Sequence, residues 1–201
     1  MALNSFSTLK TAAQNWIDRT DIADRVDEFI SLGEARIYRK LRIRAMEKAL
    51  SDTIASGVIS VPSDYQALKH AYVNGSPVQW LEQQSTEYIY ENYPTRSATS
   101  KPKFIAQDGG NFIFGPYPDS AYTIQGTYFA SLTALSTGIE TNWFTSNAPD
   151  LLLYATLAEA AGFEMNDEKE AKWATRFERA AADLQKAYNR EMRGKTRSTP
   201  G

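Results

Sequence analysis

The strongest restriction on this chain is an apolar stripe near its start. Ile22, Val26, Phe29, Ile30, Gly33, Ile37 and Leu41 recur at the spacing of one face of an α-helix. Asp21 stands before the stripe as a candidate N-cap, and the pattern predicts a helix running to about Leu50. Gly33 sits within it, where glycine costs about 1 kcal/mol relative to alanine, so a neighbouring backbone is expected to pass close there. A single stripe has to be covered, and other helical patterns can cover it. Ser7 or Thr8 opens one, with Leu9, Ala12, Ala13, Trp16 and Ile17 on one side. Pro149 and Asp150 open another, through Leu151, Leu152, Ala155, Ala158 and Ala161 to a stop at Gly162. Asn166 or Asp167 then caps a last long helix with the stripe Trp173, Phe177, Ala181, Leu184, Tyr188 and Met192. Helices from the two ends are expected to bury Trp16, Phe29, Ile37, Leu41, Leu157, Trp173 and Phe177 together.

Between these ends the period changes to two. Residues 58–61, 67–73 and 78–81 read as short strands, with Asn74-Gly75 as a hairpin signal. Ser85 can cap a short helix over 86–93. Residues 103–107 and 111–114 flank the turn Asp108-Gly109-Gly110, and 122–129 alternates as a further strand. The expected fold class is α+β, a helical bundle from the N- and C-terminal segments with a central antiparallel β-rich insertion. The segments are residues 1–51, 52–146, 147–193 and a polar tail, 194–201.

The chemistry on offer is sparse. With 201 residues, 42% hydrophobic and 23% charged, the chain has an ordinary globular composition and a net charge of -2. It has no cysteine and a single histidine, His70, which removes disulfides, thiolate sites and cysteine nucleophiles. His70 lies in an expected strand and reads as a packed residue. Gly194-Lys195-Thr196 imitates the end of a phosphate loop, but Asn189 stands where the first glycine belongs. Asp27, Glu28 and Glu34 read as a charge-paired helix face. Asn74-Gly75-Ser76 matches a glycosylation sequon that has no physical meaning without export. The first residues lack a secretory signal pattern and no stretch is long enough to span a membrane, so assembly in a cytosol is expected. No cofactor, metal or catalytic residue is assigned, and the chain is read as not an enzyme. The 11 tyrosines, clustered in the middle, suit either a β-rich core or a surface that a partner covers.

Two basic groups are candidate contact residues. Arg36, Lys40, Arg44 and Lys48 repeat every fourth residue, with Arg39 and Arg42 beside them. On a helix they form a slanting ridge that meets either a DNA backbone or the carboxylates of a neighbouring helix or subunit. Arg190, Arg193, Lys195 and Arg197 make the C-terminal segment a candidate partner-binding arm, with no apolar residue after Met192 to anchor it.

Several segments together resemble the adaptor proteins of tailed bacteriophages. They are residues 8–22 (TLKTAAQNWIDRTDI), 29–47 (FISLGEARIYRKLRIRAME), 141–144 (TNWF) and 148–161 (APDLLLYATLAEAA), followed by Asp167-Glu168, Trp173 and Phe177. The aromatic run 111–118 (NFIFGPYP) is similar to the family's middle region. Gly33 departs from the pattern, which has alanine there. The resemblance implies a structural virion protein at the head-tail interface, assembled in the host cytoplasm. It implies a dodecameric homo-oligomer ring under the portal protein, which extends the channel for passing double-stranded DNA without sequence readout and presents a surface to a tail or nozzle protein. Two other classes compete: a nucleic-acid-binding module using the basic ridge, and a tail-associated polysaccharide hydrolase, which needs paired carboxylates in a cleft.

Overall fold

Ser5 begins the first helix by bonding reciprocally with Thr8. The Thr8 amide donates to Ser5 Oγ at 3.2 Å and the Ser5 amide donates to Thr8 Oγ1 at 3.0 Å. The cap therefore lies earlier than Ser7 or Thr8, because this start brings Phe6 into the buried face with Leu9, Ala13 and Ile17. The computed structural model describes residues 3–95 and 97–193. In chain order the elements are α1 (Phe6–Ile17), α2 (Val26–Lys40), β1 (Glu47–Thr53), β2 (Val58–Ser60), β3 (Tyr65–Val73) and β4 (Gln79–Gln83). There follow α3 (Thr86–Asn92), β5 (Phe104–Asp108), β6 (Asn111–Gly115), β7 (Thr123–Ala130), α4 (Trp143–Asn147), α5 (Pro149–Phe163) and α6 (Asp167–Arg193). The class is α+β, with helices at both ends and a β-rich middle. The described residues fall into two units, one up to Met46 and from Ser131 onward, the other Glu47–Ala130.

In the helical unit α5 is the centre. Leu151, Leu152, Leu153, Ala155, Leu157, Ala158, Ala160 and Ala161 are all buried, as befits a helix apolar all round. α2 presents Val26, Phe29, Ile30, Gly33 and Ile37 as one buried stripe. At Gly33 the expected close approach is real: a methyl group there would lie 3.1 Å from the Thr156 amide nitrogen of α5. Two expectations fail on this helix. Asp21 does not cap it but pairs with Arg19, and a 3-10 turn, Ala23–Arg25, leads in without a side-chain cap. The helix also stops at Lys40 instead of running to Leu50. Leu41 turns to extended backbone and is buried, as are Ile43 and Met46. Gln185 of α6 holds this turn by accepting from the Arg42 amide and donating to the Arg42 carbonyl, both at 3.0 Å.

Phe177 and Ala181 anchor α6 in the core, and Asn166 caps it by accepting from the Lys169 amide at 3.0 Å. Phe29, Ile37, Leu41, Leu157 and Phe177 are buried as expected. Trp16 is not: it is 49% exposed and rests against the half-buried Trp173, ring centres 5.4 Å apart. It stands one position off the face that buries Ala13 and Ile17.

The β unit is one seven-stranded sheet in the order β1-β7-β3-β4-β5-β6-β2. Every pairing is antiparallel except β4 with β5. Ser85-capped α3 fills that crossover and packs Ile89 on Ala106 and Ile113. The opposite face gathers Leu50, Ile59, Val73, Ile105, Phe112 and Ile124. β5 and β6 join through Gly109, whose φ of +56° suits glycine in the tight turn. The tyrosines divide: Tyr65 and Tyr128 lie against the core, while Tyr90 is 45% exposed. Residues 47–50, expected to end the long helix, are strand instead: all seven residues of β1 form a ladder with β7, from Glu47 opposite Phe129 to Thr53 opposite Thr123.

Candidate interaction surface

The end of α2 separates the basic residues. Arg36, Arg39 and Lys40 lie on α2, Arg42 on the extended link, Arg44 on the 3-10 turn Arg44–Met46, and Lys48 on β1. No helical ridge joins them. Arg36 reaches Glu159 of α5 at 3.0 Å and lies over the Phe177 ring, 5.2 Å from its centre. Lys40 pairs with Glu178 of α6 at 2.7 Å. Arg44 meets Glu191 at 4.0 Å with both side chains well exposed, a separation that adds little. Lys48 pairs with Asp64, which also accepts from the Tyr128 hydroxyl at 2.9 Å; the hydrogen bond from Lys48 holds the Asp64 carboxyl below its ordinary range. Arg42 donates to the Tyr38 and Leu41 carbonyls. Arg39 is exposed and has no ion pair among the described residues. Arg190 is exposed near the end of α6; the Arg193 side chain, Lys195 and Arg197 lie outside what the structure describes.

The buried polar groups serve the fold. Glu34 is 3% exposed and accepts from the Leu135 amide at 3.1 Å and from Asn142 Nδ2 at 3.0 Å. Burial raises its pKa against those two donors. It ties the chain after β7 to α2, and Tyr38 adds a bond to the Leu132 carbonyl at 3.1 Å. His70 lies half-buried on β3 with its ring 5.6 Å from Trp80. No cluster of metal-ligating side chains occurs among the described residues.

Two features at opposite ends of α6 had no clear sequence signal. The turn between α5 and α6 carries Met165, 90% exposed, just before the exposed acids Asp167 and Glu168. Near the other end an apolar groove of about 130 Å³ is lined by Ile43, Ala45, Trp143, Leu184, Ala187 and Tyr188, with Arg44 and Glu191 at its edge. Lys186 and Arg190 are exposed on another face of the same helix, beside Ala182, Gln185 and Asn189. The helical stripe containing Leu184 and Tyr188 was visible in sequence. That it lies half-covered, forming a groove, depends on the turn at residues 43–45.

The exposed apolar and charged patches thus stand on a framework of partly exposed ion pairs and buried hydrogen bonds. No helix among the described residues is long and apolar enough to cross a membrane. No curated protein matches the chain. The family model described as SU10 adaptor protein matches residues 4–200. The chain therefore belongs to the SU10 adaptor protein family and is a phage structural adaptor, a virion component that interacts with other head and tail proteins.

Proposed function

We propose that the chain is the repeating subunit of a head-tail connector ring, joining the capsid portal to the tail and continuing the DNA channel. The family match over nearly the whole chain carries this reading. It is supported by a last helix that outruns its own core: among the described residues of α6 beyond Ala181, none is fully buried. An end of that kind suits a surface completed by a partner.

In this reading the helical unit builds the ring wall, in twelve copies, and no reaction is involved. Arg36, Lys40 and Lys48 act as struts within the subunit. Arg39, Arg42 and Arg44 lie at or near the surface that faces a neighbouring subunit or the DNA, whose phosphates need only charge and no base readout. Arg190, Arg193, Lys195 and Arg197 form the arm toward the portal, where arginine forks clasp carboxylates. A tail or nozzle protein meets the opposite side of the ring.

Electron microscopy of the purified chain mixed with portal rings of its phage tests the proposal. The expected result is a second ring stacked coaxially on the portal. Portal rings that stay bare at saturating subunit concentration would overturn it.

A further inference from the structure

α6 makes its ion pairs from its flanks. Glu178 reaches Lys40, Glu191 reaches Arg44 and Lys169 reaches Glu164. The face turned away from the buried Phe177 and Ala181 is different. At about 3.6 residues per turn, Lys172, Arg176, Arg179, Asp183, Lys186 and Arg190 fall on it in steps of three and four, and all are exposed. All but Asp183 are cations, and none of these cations has an ion pair among the described residues. Glu168 adds a second carboxylate at the start of the face. In a chain with 24 acidic and 22 basic residues, this is a segregated line of positive charge. It runs for about 27 Å at a rise of about 1.5 Å per residue.

Two of the cations are held in place without being neutralised. Lys172 Nζ and the Arg176 guanidinium each lie 5.0 Å from the centre of the Trp173 ring, and Arg176 is also 5.8 Å from that of Tyr154. An aromatic ring orients a cation and leaves its charge intact. Thr175 and Ala182, small and exposed beside the charges, give the face no apolar core of the kind on which protein interfaces are built. The one side-chain amide between Lys172 and Lys186, that of Gln185, is committed to the Arg42 backbone. The face therefore offers charge, with no amide free to read a base edge. Its complement is a regular line of negative charge, and duplex DNA carries one phosphate per about 1.7 Å of its axis.

We propose that this outer face of α6 lies along the passing double-stranded DNA and meets its phosphates without sequence readout. The inference rests on the ring reading above and names the DNA-facing side within it. Arg39 and Arg44 are then left to the neighbouring subunit, and Arg190 marks where the face passes into the portal arm. Glu168 and Asp183 interrupt the positive line, so each copy holds the duplex weakly and the DNA stays free to move.

Binding of the full chain to two fluorescent DNA duplexes, equal in length and unrelated in sequence, tests the proposal. Both should bind equally, and the affinity should fall at least about tenfold between about 50 and 200 mM salt. Arg176→Gln, Arg179→Gln and Lys186→Gln should each reduce the slope of log affinity against log salt by about 0.9. Their melting temperatures should match wild type, because these side chains are exposed. Asp183→Asn should tighten binding, and Lys103→Gln, exposed in the β unit, should leave the slope unchanged. Failure to bind either duplex at the lowest salt overturns the proposal, as do slopes that the three α6 substitutions leave unchanged or that Lys103→Gln lowers equally. Tighter binding to poly-glutamate than to duplex assigns the face to an acidic protein and overturns it too. Portal rings that stay bare overturn the ring reading alone, since the duplex titration needs no portal.

Discussion

Gly33 of α2 and Ala155 of α5 meet with no side chain between them on the α2 side: a methyl at Gly33 would stand 3.2 Å from the Ala155 Cβ. The two helices thus approach closely at the middle of the core, and the main-chain nitrogen of Thr156 lines the same contact at 3.1 Å. Gly33→Ala gains about 1 kcal/mol of helix propensity and crowds α5 by a few tenths of an ångström. Its net effect should stay within about 1 kcal/mol. Gly33→Leu should lose about 1–3 kcal/mol by overpacking, read from urea unfolding. A leucine variant as stable as wild type would mean that α2 and α5 separate at no cost.

Gln185 should prove a structural residue despite lying toward the open end of α6. Its amide makes both bonds to the Arg42 backbone, which leaves α2 at that point and has no helical partner. Gln185→Glu keeps an acceptor and loses the donor, leaving the Arg42 carbonyl unpaired. We expect a loss of about 1–2 kcal/mol and faster amide exchange over residues 41–46. Unchanged exchange there would assign the turn to Leu41 and Ile43 packing alone.

Glu34 should imprint a pH dependence on stability. Burial raises its folded pKa above the ordinary value of 4.5, so the folded chain takes up this proton before the unfolded chain does. Between 4.5 and the raised value the carboxyl's contribution becomes more favourable as pH falls; above that window the buried charge is a standing penalty. Asp64 works the other way. Its pKa is lowered from 3.8, so its contribution is present above that value and is lost as pH falls through the lower one. Glu34→Gln removes the first window. The stability difference between wild type and variant should therefore change as pH falls from neutrality toward 4.5, measured by denaturant titration. A constant difference would contradict the assignment.

Met165→Gly should stabilise the isolated subunit by about 1 kcal/mol, since glycine accepts the left-handed turn that methionine holds at a cost. Met165→Ala keeps the Cβ and should bring no such gain. Thermal unfolding at low concentration, where association is absent, distinguishes the two. Equal melting of the glycine variant and wild type would show that the turn is unstrained.

Periodicity sufficed for the helices because a stripe such as Val26, Phe29, Ile30, Gly33 and Ile37 is a local pattern, and burial of one face follows from it wherever the partner lies. The same holds for the β5–β6 hairpin, where Gly109 and Gly110 specify the turn from within. Residues 47–53 escaped this reasoning. Lys48 continues a four-residue basic repeat, and within that window helix is as reasonable as strand. β7, distant in sequence, supplies the ladder that decides between them. The basic ridge was lost with the helix that would have carried it.

The contact surface divides along the same line. That α6 begins acidic and ends basic is written in Asp167, Glu168, Lys186 and Arg190, and needs no fold to be seen. The groove does not exist until Gln185 holds the Arg42 turn, bringing Ile43 and Ala45 against Leu184 and Tyr188. Met165 likewise reads as an ordinary apolar residue until the end of α5 forces it into a left-handed turn and outward. Local side-chain order governs charge and helical period along the chain; exposure, strain and concavity arise only when segments distant in sequence compete for the same core.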